Sequence, residues 1–326
     1  MRAVLCWLVA LSLLLLQGGL NNSGAQGYPD KPVRVIVPFT PGGSTDHTGR
    51  IIAEAMSASL KQPFVVENRP GAAATIGIDL VAKSKPDGYT VGVSGVGATA
   101  IVPLLDPKLP YNPARDLEII AGLSGVDSVF IARPELKQNS IAEVLAFAKD
   151  NPEKISYATA GVTGPSHLAM EDLSQLAKVK MLHVPFAGDV PAITGVLTGD
   201  VSIGLVAIAS ATPFLTDRKL KALAAGGPKR LKLLPNLPTV AEQTGFKDYA
   251  AYAWNVLVSA KGTPPDAIDK LNEAVNEAVA RDDVREKLEN LGLKVMPGDA
   301  KWAQNFVAAE IAKNKRIIDA TGVKRE

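Results

Sequence analysis

The sequence predicts an α/β fold of mainly parallel sheet flanked by helices, and three observations predict it. Short apolar strands alternate with segments of helical periodicity along almost the whole chain, which is typical of parallel strands joined by crossover helices. Glycine-bearing loops follow several of these strands. The 326 residues, 47% hydrophobic and 21% charged, supply enough apolar material for one large or two medium domains.

The first 25 residues predict a cleavable signal peptide. Arg2 provides a positive start, residues 4–16 form an apolar run shorter than the roughly 20 residues that span a bilayer, and residues 23–25 are small, before a cut at Gln26. The single cysteine, Cys6, lies inside this run, so the mature chain would have neither a disulfide nor thiol chemistry. We therefore expect export to a bacterial periplasm.

The charge balance argues against a nucleic-acid partner. Removal of residues 1–25 takes away one basic residue, Arg2, and no acidic one, which leaves 34 basic and 33 acidic side chains. The basic cluster at residues 229–232 is short and isolated, as is typical of a solvated turn. No later segment reaches about 18 uninterrupted apolar residues, so none is predicted to span a membrane.

Each predicted element rests on its own pattern of apolar residues. Between the first two strands, Ile52, Ala55 and Met56 recur at the spacing of a helix with one buried face. Similar stripes over residues 268–279 and 302–317 predict two core helices near the C-terminus. The predicted strands are 33–37, 64–67, 90–94, 117–123, 128–132, 155–159, 180–184, 201–206, 220–224 and 254–259.

Ten strands are many for a single open sheet, and two long apolar runs suggest a division. Residues 116–136 could carry the chain from one domain into another, and residues 249–262 could carry it back. Two such crossings predict a cleft between a discontinuous domain I, residues 26–125 plus 253–326, and a domain II, residues 126–252. A single doubly wound sheet is the alternative.

Four loops that follow strands combine glycine with small polar residues. In the first, PFTPGGSTDHTGR at 38–50, Gly42 and Gly43 let the backbone approach a ligand, and Ser44 to Asp46 can cap a helix. Free N–H groups at a helix start favour a carboxylate or phosphate, although such a loop also serves as a plain turn. The other three loops are SGVGATA at 94–100, TAGVTGPSHLAMEDL at 159–173 and PFAGDVPA at 185–192.

Together these loops predict a small carboxylate in a cleft, because the carboxyl ends of parallel strands face the ligand crevice. Neither Gly-Lys-Ser/Thr nor Gly-x-Gly-x-x-Gly spacing is present, so a nucleotide is disfavoured. Asp46 is expected to brace its loop, since its charge would oppose an anion. The candidate binding residues are Phe39, Gly42, Gly43, Ser44, Asp46, Gly97, Thr99, Ala160, Thr163, Gly164, Ser166, His167 and Asp189.

Catalysis and metal binding find little support. The three histidines, His47, His167 and His183, form no His-x-x-x-His pair, and a zinc site without cysteine would be unusual. Ser166 and His167 are adjacent, so they point in different directions at a helix start, and no Gly-x-Ser-x-Gly elbow is present. We predict no catalytic residue, metal or cofactor, and a secreted hydrolase is the weakest hypothesis.

Seven segments resemble, in the same order, the solute-binding receptors of tripartite tricarboxylate transporters, the Bug-type family. This resemblance implies a two-domain periplasmic binding protein of type II, a monomer that closes over a small carboxylate and delivers it to the membrane subunits of such a transporter. It also implies that the loops at Gly42-Gly43 and at 163–167 hold one carboxylate. An extracytoplasmic sensor that presents its closed form to a membrane kinase is the alternative. The segments are 28–46, 65–90, 107–117, 157–173, 183–201, 237–246 and 262–279.

The chain departs from that family at three places. Val206-Ala207 stands where many relatives have Asp-Asn, Val102 precedes Pro103 where many have Asn, and Asn255-Val256 replaces an aromatic residue and glycine. Two polar groups exchanged for apolar ones predict a ligand with an apolar or aromatic remainder. An amino acid is disfavoured, because its ammonium group would require a carboxylate partner.

Overall fold

The structure, a computed structural model, describes residues 27–324. The predicted signal peptide at residues 1–25 and the cut at Gln26 lie outside the described residues. Within the described range the strands are β1 Val33–Val37, β2 Phe64–Asn68, β3 Thr90–Gly95, β4 Leu117–Ala132, β5 Ser156–Thr159, β6 Leu182–Pro185, β7 Ile203–Ala207, β8 Lys221–Ala225, β9 Tyr252–Ala260 and β10 Leu293–Val295.

The helices alternate with these strands, as the sequence predicts. A short 3₁₀ turn at Ala72–Ala74 and a π-helical turn at Gly97–Ile101 accompany them. The α-helices are α1 Ser44–Leu60, α2 Thr75–Ala82, α3 Val102–Leu105, α4 Pro113–Asp116, α5 Ile141–Asp150, α6 Pro165–Ala177, α7 Asp189–Thr198, α8 Ile208–Thr216, α9 Val240–Thr244, α10 Pro265–Ala280, α11 Asp282–Glu289 and α12 Ala300–Thr321.

The strands follow one hydrogen-bonded path, β2-β1-β3-β9-β4-β7-β5-β6, with β8 and β10 also paired to β4. β1 pairs in parallel with β2 and β3, and β5 pairs in parallel with β6 and β7. The strands β4 and β9 at the middle are antiparallel to their neighbours. The predicted α/β fold with crossover helices is confirmed.

Two lobes meet at β4. We call residues 27–127 and 252–324 lobe 1 and residues 128–251 lobe 2, because β4 exchanges its partner β9 for β7 and β8 between Asp127 and Ser128. Each lobe has buried clusters of its own, and a further cluster joins Leu168 of lobe 2 to the core of lobe 1. These lobes lie close to the predicted domains, whose limits at 125/126 and 252/253 stay a prediction.

The sequence predicts two strands, 117–123 and 128–132, where the structure has the single strand β4 of 16 residues. The intervening residues remain paired, since Ser124 lies opposite Asn255 and Val126 lies opposite both Ala253 and Leu293. Irregular register shifts interrupt the pairing with β9 before Ser124. The small residues of this stretch therefore belong to bulges within a strand rather than to a loop.

Helices α1 and α10 pack their apolar faces against the sheet of lobe 1. In α1, Ile52, Ala55 and Met56 are buried, and in α10 so are Leu271 and Val275. Burial of each of the isoleucine, methionine, leucine and valine side chains contributes roughly 1.5–3 kcal/mol to stability. Helix α1 begins at Ser44, after the extended residue Gly43, and thus presents its N-terminus to the boundary between the lobes.

Gly226 connects the two segments that cross between the lobes. Its N–H donates to the Ser128 carbonyl at 2.9 Å, and its carbonyl accepts from the Ala251 N–H at 2.7 Å. A Cβ at this position would overlap the Ser128 hydroxyl, and it would lie 2.9 Å from the carbonyl oxygen of Ala251 and 3.2 Å from that of Ser128. The two carbonyl oxygens belong to the backbone, so relief of their close contacts with the Cβ requires movement of a crossing segment.

We expect Gly226→Ala to lower the free energy of unfolding by about 1–3 kcal/mol, because the added methyl group overpacks the crossing. Denaturant titration measures this loss. The matched control is Gly227→Ala, where the nearest atom to a Cβ is Asp127 Oδ1 at 3.4 Å. That variant should lose less stability than Gly226→Ala, because its added methyl group meets no atom closer than an ordinary packing contact. Equal losses in the two variants would contradict this account of the crossing.

Candidate functional site

A cavity of about 210 Å³ lies between the lobes. Ser44 at the start of α1 reaches it from lobe 1, and Ala160, Ser166 and Asp189 reach it from lobe 2. These four residues are the predicted site residues that line the cavity. Its floor is the crossing region itself, and its other lining residues are Val126, Asp127, Ser128, Pro165, Leu205, Val206, Ala207, Ala251, Tyr252 and Ala253.

Hydrogen bonds to Asp46 fix the conformation of the first loop. The Asp46 carboxylate accepts hydrogen bonds from the Gly42 N–H at 3.0 Å, from Arg50 Nε at 2.9 Å and from Asn68 Nδ2 at 2.7 Å. Burial would raise the pKa of Asp46, but the hydrogen bonds from Arg50, Asn68 and Gly42 outweigh it and lower that pKa to about 2. Asp46 is thus ionised and braces the loop without lining the cavity.

The remaining residues predicted in this loop, Phe39, Gly42 and Gly43, are not among those that line the cavity. Gly42 adopts a φ of +93°, which favours glycine, and its N–H is bonded to Asp46. Gly43 is exposed, and a Cβ added to it would meet no atom within 4 Å. Phe39 keeps 40% of its surface exposed, and its carbonyl accepts from Asn68.

The second loop turns away from the cavity. Thr99 is buried, and its hydroxyl shares a 2.6 Å hydrogen bond with the Ser94 hydroxyl. Gly97 begins the π-helical turn that packs with the core of lobe 1. Both residues are predicted ligand contacts, and the structure does not bring either to the cavity, because the polar group of Thr99 finds its partner inside the protein.

In the third loop, backbone and ring groups hold the shape that presents Ala160 and Ser166. The Thr163 N–H donates to His167 Nδ1 at 3.0 Å, and Gly164 is the extended residue that precedes α6. Thr163 has a φ of 55°. Thr163, Gly164 and His167, all predicted site residues, therefore lie beside the cavity and shape the loop that lines it.

Two stacked histidines support this loop. The rings of His167 and His183 lie 3.8 Å apart at 13°, and Tyr157 stacks on His183 at 5.0 Å. Thr159 donates its hydroxyl hydrogen to the Gly161 carbonyl at 2.9 Å, so it accepts from His183 Nε2 at 2.7 Å. Burial lowers the pKa of His183 to about 4, and the neighbouring His167 adds to this effect.

The fourth loop supplies a predicted carboxyl group to the cavity, that of Asp189. Asp189 begins α7, and its Oδ2 accepts from the Ala207 N–H at 3.3 Å and from the Ser210 hydroxyl at 3.4 Å. Burial raises the pKa of Asp189, and these two hydrogen bonds oppose that rise. The carboxyl group therefore lines the cavity at a cost in hydration.

Only one of the three departures from the family pattern reaches the cavity, namely Val206-Ala207. Val102 is buried in the core of lobe 1. Asn255 is buried too, and its side chain joins Thr45, at 3.1 Å, to Ser124, at 3.0 Å. The apolar character of the predicted ligand therefore rests on Val206-Ala207 and not on Val102 or Asn255.

Sequence reasoning missed the residues of the cavity floor. Asp127, Ser128, Ala251 and Tyr252 all lie in the segments that cross between the lobes. The signal was available, because a chain that crosses twice between two domains must border the cleft between them. Among the described residues, no group of His, Cys, Asp and Glu could hold a metal ion, and no helix is long and apolar enough to cross a membrane.

A family profile matches the chain over residues 48–323, and its description is "Tripartite tricarboxylate transporter family receptor". This match covers well over half of the sequence. The chain belongs to this receptor family. It is a Bug-type receptor and not an enzyme, in agreement with the prediction.

Solved structures of three relatives have the same fold. The periplasmic binding protein BugD is 33% identical, with a TM-score of 0.74 over 92% of this chain and 100% of that one. A Rhodopseudomonas palustris protein solved with adipate is 29% identical, with a TM-score of 0.78 over 91% and 99%. MatC from the same organism, solved with bound malate, is 32% identical, with a TM-score of 0.73 over 89% and 100%. The predicted type II periplasmic binding protein fold is confirmed.

The histidine stack makes the stability of this receptor depend on pH. The pKa of His183 is about 4 in the folded chain and about 6.5 in an unfolded one. Between these values the unfolded chain binds a proton at His183 that the folded chain does not, so stability present above pH 6.5 is lost as the pH falls towards 4. His183→Gln keeps an N–H donor near Thr159 but does not titrate.

We expect the melting temperature of His183→Gln to fall less between pH 7 and pH 4.5 than that of the unaltered protein. Thermal unfolding followed by circular dichroism at several pH values measures the difference. His47→Gln is the control, because His47 lies outside the stack. A pH dependence that is the same in His183→Gln and the unaltered protein would contradict the assignment.

Proposed function

We propose that this receptor captures a small organic carboxylate in the cavity between its lobes, closes over it by hinge motion, and delivers it to the membrane subunits of a tripartite tricarboxylate-type transporter. It acts in the periplasm as a monomer. The adipate and malate found with two relatives of this chain support a carboxylate as the ligand. Family membership supports the transporter as the recipient.

The observation that carries the proposal is the meeting of helix N-termini from both lobes at one cavity. Helix α1 starts at Ser44 in lobe 1, and helix α6 starts at Pro165 in lobe 2, with Ser166 beside it. The first N–H groups of a helix lack partners within it, and the helix dipole adds positive charge there. Two such ends, each with a serine hydroxyl, suit one carboxylate group.

The same arrangement accounts for closure. Contacts from α1 and α6 come from different lobes, so a ligand gains both sets together only when the lobes approach. Ligand binding therefore shifts the population towards the closed form, by the difference in its affinity for the two forms. The crossing segments beneath the cavity are the connections about which such a motion turns.

The walls favour an apolar body for the ligand. Val126, Leu205, Val206 and Ala251 line the cavity between its polar groups. Burial of a methylene group against such walls contributes about 0.8 kcal/mol. A carboxylate attached to an apolar chain or ring therefore fits this cavity better than a polyol does.

A thermal-shift screen of mono- and dicarboxylates tests the ligand class. A ligand at 100 times its dissociation constant stabilises the folded state by about 2.7 kcal/mol, so a true ligand should raise the melting temperature by a few degrees. Neutral sugars and metal cations are the controls. If these shift the melting temperature and no carboxylate does, the proposed ligand class is wrong.

The Gly43→Val variant tests whether the first loop takes part in carboxylate binding. Gly43 has a φ of −84° and open space around it, so the variant should fold normally. Its side chain would stand beside the N-terminus of α1, so affinity for the carboxylate found in the screen should fall. Gly27→Val, also in open space and outside the loop, is the matched control. Unchanged affinity of Gly43→Val would remove this loop from the site.

Delivery has a separate test in cells. Deletion of the receptor should abolish uptake of the carboxylate that stabilises the purified protein, and re-expression of the receptor should restore it. The Gly43→Val variant should restore uptake only in part, because it retains less ligand. Normal uptake in the deletion strain, together with loss of a transcriptional response to the same carboxylate, would favour the sensor alternative instead.

A further inference from the structure

Asp189 is a carboxyl group in the cavity without a cationic partner. Its only hydrogen bonds among the described residues are the long ones from Ala207 and Ser210, both to Oδ2. In the part of the chain that the structure describes, no lysine or arginine forms an ion pair with it. A carboxylate removed from bulk water without strong partners costs free energy, and a ligand group can recover it.

The second acid of the cavity, Asp127, is in a different situation. Its carboxylate forms an ion pair with Lys294 of β10, so its charge is balanced within the protein. Of the residues that line the cavity, as far as the chain is described, none is lysine or arginine. The charge that remains unbalanced inside the cavity is therefore that of Asp189.

The carboxylate of Asp189 restricts the chemical group at the far end of a ligand, which is the end opposite the carboxylate held by α1 and α6. A dicarboxylate would bring its second negative charge into a cavity that holds Asp189 and no cation to offset either group. An amine or hydroxyl would instead donate to the carboxylate of Asp189, and a charged donor forms the stronger bond. Unsubstituted alkyl groups would leave Asp189 dehydrated and without a new partner.

We propose that Asp189 selects the far end of the ligand, so that this receptor prefers a monocarboxylate whose distal end carries a hydrogen-bond donor, an amine above a hydroxyl. This inference rests on the proposed function, since it assumes that the α1 and α6 N-termini hold the carboxylate. It revises the expectation that an amino group would lack a carboxylate partner, because Asp189 is such a partner. The body of the ligand stays apolar.

The raised pKa of Asp189 agrees with this role. Burial is its cause, and a bound ammonium group would favour the ionised carboxylate and so oppose it. Asp189 is also the first residue of α7, and a helix N-terminus stabilises a negatively charged side chain. A cationic group of the ligand would therefore act in the same direction as the helix N-terminus, towards the ionised carboxylate.

Isothermal titration calorimetry with four matched series tests the proposal. For chains of four, five and six carbons, the probes are the unsubstituted monocarboxylate, the ω-hydroxy acid, the ω-amino acid and the dicarboxylate. At the best chain length, the ω-amino acid should bind about tenfold or more tightly than both the unsubstituted acid and the dicarboxylate. The affinity of the ω-hydroxy acid should lie between that of the ω-amino acid and that of the unsubstituted acid.

Asp189→Asn should reverse the order. It removes the charge with little change of volume, so the ω-amino acid should lose about tenfold in affinity and the dicarboxylate should gain. Asp189→Ser, which keeps a hydroxyl at the start of α7, is a second variant in case the first folds poorly. Asp200→Asn is the matched control, because Asp200 lies at the other end of α7, is exposed and bonds to Thr198.

The outcomes separate this inference from the proposed function. If the dicarboxylate binds more tightly than the ω-amino and ω-hydroxy acids at every length, or Asp189→Asn leaves the order unchanged, Asp189 does not select the ligand and carboxylate binding stands. If none of the probes binds, while the thermal-shift screen finds a neutral or cationic ligand, the proposed function and this inference both fail.

Discussion

The architecture depends on one continuous strand. Over 16 residues, β4 pairs first with β9 and β10 and then with β7 and β8, so a single extended segment belongs to both lobes. Its middle residues, Val126 to Ser128, form part of the cavity floor. Ladder hydrogen bonds hold β4 on both sides of this point, so the two lobes share the cavity floor, while the loops above it belong to separate lobes.

A buried polar network connects the cavity floor to the first turns of helix α1. Ser124 of β4 bonds to Asn255 of β9 at 3.0 Å and to Thr48 of α1 at 2.9 Å, and Asn255 also bonds to Thr45 at 3.1 Å. Such a network is stable only when each member has its partners, so it fixes the first turns of α1 relative to the floor. The exposed loop at Gly43 therefore leads directly into a helix N-terminus whose position is fixed by buried hydrogen bonds.

The sequence was informative wherever a pattern is local. The apolar runs predicted the strands of both lobes, and the loops after β1, β5 and β6 predicted Ser44, Ser166 and Asp189 at the cavity. Predictions from the sequence failed where contacts with other parts of the chain decide the structure or the role of a residue. β10 has only three residues and no periodicity to detect, and its place is set by β4. Thr99 resembles a ligand contact until its bond to Ser94 is seen.

Under the proposed function, the lack of lysine and arginine among the described cavity residues makes affinity for the carboxylate depend on closure. A guanidinium group attracts an anion over several ångströms, whereas the N–H groups and dipole of a helix end act only within the first turn and are screened by water. In an open cleft, water competes for every N–H and hydroxyl group that the carboxylate would use. When the lobes approach and expel that water, the same dipoles act in a lower dielectric and their attraction strengthens. If this receptor binds its anion with dipoles alone, as proposed, it gains most of that binding free energy in the closed form, which is the form that the proposed transporter would recognise.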